Sequence, residues 1–139
     1  MTLGRQMMNV GLAASALLWA VTVAATGAQA PARTVNDGVY SSGQATRGEA
    51  LFQSICTTCH DTARFTGEEF VSAWSGKPLS ELFKAVQTMP EDNPGSLNAQ
   101  QYSDVMAYFL QLNKYPSGSD ELKGEPDVLA KVQMEPLKP

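Results

Sequence analysis

The chain reads as an all-α protein, with three to five helices around one small core. Three features say so. Apolar side chains recur at helical spacing in separate stretches around Leu51–Ile55, Leu79–Val86 and Tyr102–Leu110. Breakers divide those stretches, namely Ser75-Gly76-Lys77-Pro78 and the run from Pro90 to Ser96. No segment repeats, and none alternates with the period of two that a half-buried strand requires.

Each element follows in chain order. Residues 31–45 (PARTVNDGVYSSGQA) are polar and aperiodic and read as a flexible lead-in. Thr46 is a plausible N-cap for a first helix through Ile55, whose apolar face is Leu51, Phe52 and Ile55. A loop is expected from Asp61 to Gly67, then a short helix from Glu68 to Trp74 with Phe70, Val71 and Trp74 inward. Another helix begins at Ser80, a capping residue followed by an acid, with Leu79, Leu82, Phe83 and Val86 in register. Pro90 ends it, because proline disfavours a helical residue before it. The last strong helix runs from about Asn98 to Asn113 on Tyr102, Val105, Met106, Phe109 and Leu110. The tail, 114–139, carries four prolines, and Val128, Leu129 and Val132 suit one short helical turn. The organisation is therefore 1–30, 31–45, a helical domain over 46–113, and the tail.

The first thirty residues do not belong to that domain. Arg5 is followed by an apolar stretch from Val10 to Ala25 and then by Ala28-Gln29-Ala30. This is the order of a secretory signal with a small-x-small cleavage site, expected to be cut after Ala30. The apolar run is shorter than the roughly 20 residues of a membrane span, so no stable span is expected in the mature chain. Export puts the protein in an oxidising periplasm, where free thiols rarely persist. Removing Arg5 from ten basic side chains leaves nine against fourteen acidic, a net charge of −5. That balance argues against nucleic acid as a partner, which wants a basic face. It favours a partner with a basic docking patch.

Cys56-Thr57-Thr58-Cys59-His60 carries the chemistry. Two thiols three positions apart at a helix end can each add to a vinyl group on one haem edge. The following imidazole then lies beneath the iron, and the spacing reads as covalent haem attachment. The competing readings fit poorly. A thioredoxin-like redox pair needs a βαβ context that the pattern does not offer. A zinc site wants four ligands, and the chain holds two Cys and one His. A structural Cys56–Cys59 disulfide leaves His60 idle.

His60 is the only histidine, which excludes two histidines on one iron within this chain. The remaining soft donor is a thioether sulfur, which raises the potential of such a haem. Met1, Met7 and Met8 fall in the signal, leaving Met89, Met106 and Met134. Met106 sits mid-helix on an apolar stripe, where a core methionine is the plain reading. Met134 lies in the charged tail. Met89 stands at a helix-to-loop junction before Pro90, with enough chain after His60 to reach the opposite face. Iron held by His60 and Met89 has no vacant position, so the protein is expected to transfer electrons and not to be an enzyme. The alternative is a haem enzyme or gas-binding sensor with an open sixth position.

On these residues the sequence resembles class I, monohaem c-type cytochromes, over roughly Thr46 to Asn113. Gly48 and Phe52, eight and four residues before Cys56, resemble the family's N-terminal helix signature. Met89-Pro90 resembles its distal methionine motif, and Val105 with Tyr108 its C-terminal helix. The resemblance implies the small cytochrome c fold. Gly48, with no Cβ, lets the last helix cross closely, with Phe52 and Tyr108 in the corner. It also implies a loop carbonyl fixing the His60 ring, although Asp61–Phe65 lacks the Gly and Pro often found there. Trp74 resembles a family tryptophan whose indole N–H contacts a haem propionate; an ordinary core tryptophan is the other reading. Lys77 and Arg64 are further propionate candidates, with solvated surface as the default for both. The runs from Met89 to Leu97 and from Asn113 to Gly118, with Glu121-Leu122, resemble small cytochromes associated with periplasmic quinoprotein dehydrogenases. That second resemblance implies such a dehydrogenase as donor and an oxidase or another cytochrome as acceptor.

Overall fold

The computed structural model describes residues 33–139. The expected signal, 1–30, lies outside the described residues. The architecture is all-α, with five helices and one pair of two-residue strands among those residues.

Helix α1 spans Ser42–Leu51. It starts earlier than Thr46 because Ser41 is the better cap: its hydroxyl accepts from the Gln44 amide at 3.1 Å. Thr46 instead donates back to the Ser42 carbonyl from within the helix. α1 runs on into a wider π-turn over Phe52–Cys56, where the Thr57 amide reaches back to the Phe52 carbonyl. A short 3₁₀ turn covers Thr62–Phe65, capped by Asp61, inside the stretch expected to be loop. α2 spans Gly67–Trp74 and α3 spans Leu79–Gln87. α4 spans Ala99–Leu112 between Asn98 and Asn113, as its stripe predicts. Asn98 and Gln101 form a reciprocal cap there, each side chain accepting from the other's amide at 2.9 Å.

α1 and α4 make the main packing contact. A Cβ on Gly48 would lie 1.8 Å from the Asp104 carbonyl oxygen, so only glycine permits this crossing. Phe52 and Tyr108 pack beside it, with ring centroids 5.6 Å apart. The buried Asp104 carboxylate is satisfied by Arg47, at 3.0 and 3.2 Å, and by the Gln100 amide at 2.9 Å. Phe52 and Phe109 are almost wholly buried; each such side chain contributes about 1.5–3 kcal/mol of transfer free energy.

The expected flexible lead-in, 31–45, needs correction: from residue 33 it is built into the domain. Its few apolar residues, Val35, Val39 and Tyr40, are all buried. Strand β1 (Arg33–Thr34) pairs in parallel with β2 (Val132–Gln133) of the tail. The Tyr40 hydroxyl donates to the Tyr115 carbonyl, and the Gly118 amide donates to the Tyr40 carbonyl, both at 2.7 Å. Gln44, fully buried, holds Leu122 through both its amide N–H and its carbonyl, at 2.8 and 2.7 Å. Helix α5 (Pro126–Leu129) falls near the expected turn. The two short strands were not expected, because two residues cannot display a period.

Candidate functional site

A cleft opens beside α4. Its larger lobe, about 800 Å³, is lined by Cys56, Cys59, His60, Val86, Met89 and Tyr102, among others. The second lobe, about 500 Å³, shares Cys56, His60, Val86 and Met89 and adds Arg64, Phe70, Trp74, Leu82 and Phe109. Such volumes are those of a cofactor cleft.

Local structure explains how each residue arrives. The π-turn shifts the register of the first helix just before the motif, a deviation common at functional sites. The Cys59 and His60 amides both donate to the Cys56 carbonyl, at 3.2 and 2.9 Å, so the motif closes on itself after the helix. Both thiols are free. Cys59 is exposed, whereas Cys56 is half-buried, and that burial pushes its thiol pKa up. Met89 follows the end of α3, and its carbonyl accepts from the Tyr102 hydroxyl at 2.9 Å. Trp74 closes the second lobe from the end of α2, with the Lys77 ammonium 5.0 Å from its ring centroid.

The five residues singled out from sequence, Cys56, Cys59, His60, Met89 and Trp74, thus all line this cleft. Met106 and Met134 are buried in the core and line neither lobe. Arg64 lines the Trp74 lobe, whereas Lys77 does not.

Three residues escaped the sequence reading. Phe65 stands edge-on to His60 with centroids 5.5 Å apart, and stacks on Phe109 at 4.4 Å. Its backbone carbonyl accepts from the Asn113 side-chain amide at 2.8 Å, and the Asn113 side-chain oxygen accepts from the Gly67 amide at 2.9 Å. Tyr102 is the third, through its hold on Met89. A tyrosine and an asparagine in place of apolar residues were the only signals. Within the loop expected to supply a carbonyl to the His60 ring, Phe65 is the aromatic neighbour of that ring.

The donor set fits a covalently held haem. Two thiols, one imidazole and one thioether border a single cleft whose deep walls are Phe52, Phe70, Leu82, Val105 and Phe109. Soft sulfur and neutral imidazole are the donors that haem iron takes in electron-transfer proteins.

Comparison with known proteins agrees. Residues 43–109 match a family model described as cytochrome C oxidase, cbb3-type, subunit III, a c-type cytochrome domain. No curated protein and no solved structure is matched. Among the described residues no helix is long and apolar enough to cross a membrane. Electron transfer through haem, with other redox proteins as partners, follows from that match. Over residues 43–109 the chain is a monohaem c-type cytochrome domain that binds haem c covalently.

Proposed function

We propose that the protein is an exported, periplasmic electron carrier with His60 and Met89 as axial ligands of its haem. The observation that supports it best is the position of Met89. Of the three methionines outside the signal, it alone lines the cleft, and it does so in both lobes with His60 and Cys56. Haem c supplies the iron couple that takes up and releases one electron. Cys56 and Cys59 tether it through thioether bonds. Val86, Val105 and Phe109 keep water from its faces. Tyr102 fixes the backbone that carries Met89. Trp74 offers an indole N–H to a propionate, and Arg64 is the one cation among the lining residues. With both axial positions filled, the protein passes electrons without a reaction of its own. A quinoprotein dehydrogenase is proposed as donor, and an oxidase or another cytochrome as acceptor.

Met89→Ala tests the ligand set. The haem-loaded wild type is expected to show a low-spin spectrum with the methionine–iron charge-transfer band at the red end, and a positive potential. The variant is expected to lose the band, drop in potential and bind CO when reduced. An unchanged spectrum and potential in Met89→Ala would assign the distal face to another group and return the open-site alternative.

A further inference from the structure

The segment after α4 lies outside both the family match and the cleft. It nevertheless grips the wall that carries Met89. That wall is α3, which has two working edges. Leu82, Ala85 and Val86 face the cleft, while Leu79, Ser80 and Phe83 are buried without lining it. α3 packs against α4 and also against α5. Leu129 of α5 is completely buried, and Val132 and Met134 nearly so.

Backbone bonds add a second hold. The Gly76 amide donates to the Met134 carbonyl at 2.8 Å, and the Met134 amide donates to the Lys77 carbonyl at 2.9 Å. Pro78 and Gln133 continue the pairing as an antiparallel bridge. Gly76–Pro78 is the turn between Trp74 and α3, so the tail is clipped to the hinge of the wall. The far side of the wall has no such support. The loop after Met89 is exposed and bonded locally, Asn93 to Pro90 and Gly95 to Gln87. The Met89 amide donates to the Val86 carbonyl of α3 itself at 3.0 Å, and from outside that wall the Tyr102 hydroxyl donates to the Met89 carbonyl.

We infer that residues 126–134 are a positioning brace for the distal wall and set how firmly Met89 is held at the iron. The inference rests on the Met89 ligand reading. Side chains that pack behind α3 and line neither lobe of the cleft then control the iron's sixth position without touching the haem.

The test uses the full-length, haem-loaded protein with Leu129→Ala, and with Val132→Ala as a milder truncation of the same segment. Val39→Ala, a buried side chain of the lead-in that lines neither lobe of the cleft, is the control. The red band and the far-ultraviolet helical signal are followed together on heating, and imidazole is titrated onto the ferric protein. Each tail variant is expected to lose its band at a lower temperature than its helices. Apparent imidazole affinity should rise about tenfold for Leu129→Ala, since it scales with the fraction of molecules whose wall is open. The control should lose band and helices together. If the tail variants behave like the control and imidazole affinity does not change, the brace is wrong and Met89 ligation stands. If the unsubstituted protein lacks the band, Met89 ligation fails and the brace falls with it.

Discussion

The crossing of α1 over α4 and the haem cleft share α4 and the first helix with its π-turn, the cleft adding α2 and α3 as further walls, and they differ in what fills the space between the elements. At the crossing nothing fills it. Gly48 brings one backbone against the carbonyl of Asp104 on the other, and Arg47 and Gln100 satisfy the carboxylate beside it. Further along α1 the π-turn carries Phe52 and Cys56 outward, and Val105 and Phe109 of α4 become walls of a cleft. Close packing is absolute where backbone meets backbone and adjustable where side chains border a cofactor. The lesson is that one helix pair can be rigid and receptive at once, provided glycine stands at the contact.

Substitutions can break that contrast, beginning with the crossing. Gly48→Ala should have the largest effect. Its Cβ would overlap backbone, which cannot rotate away, so a loss of about 3 kcal/mol or more is expected in thermal or denaturant unfolding. A haem-loaded variant with unchanged stability would show that α4 can retreat from α1. Tyr102→Phe acts on the cleft side and should be milder. It removes the hydrogen bond to the Met89 carbonyl and a longer one, 3.4 Å, accepted from the Leu97 amide, a loss of about 1 kcal/mol in urea unfolding. The red band should be affected more than the helical signal.

Asp37→Asn should have the smallest effect, at a site remote from both regions. The Thr34 amide, with its hydroxyl, holds the Asp37 carboxyl below its ordinary pKa of 3.8. A lowered folded pKa means the contribution is present above pH 3.8 and is lost as pH falls through the folded value. The variant should therefore unfold less steeply on the acid limb than the wild type and differ little near neutral pH. Equal acid limbs in the two proteins would dismiss the capping box as a contributor.

Much of this was legible in the sequence because it depends on period or on chemistry. α4 has a long apolar stripe between two capping asparagines, and its limits were readable within a residue. The CxxCH run names its own ligand chemistry, and a single histidine leaves little choice. Other features depend on partners distant in the chain and carry no period. The lead-in looked flexible because Val35, Val39 and Tyr40 meet no apolar neighbours nearby; their partners lie in the tail. Phe65 and Asn113 matter through contacts made across the fold. α1 starts at Ser42 and not after Thr46 because Ser41 and Thr46 are both acceptable caps locally, and only the hydrogen bonds decide between them.

The pairing of Arg33 with Val132 has a consequence in time. It joins nearly the two limits of the described chain, and the Lys138 amide likewise donates to Asn36 across a separation of 102 residues. Contacts of such range close late, because the intervening chain must first be ordered. On a chain emerging from synthesis, β1 waits for Val132 and Gln133 to appear, while α1 through α4 can already associate. Cys56 and Cys59 therefore exist on a bundle whose outer belt is still undone, and among the described elements that belt is fastened after the helices.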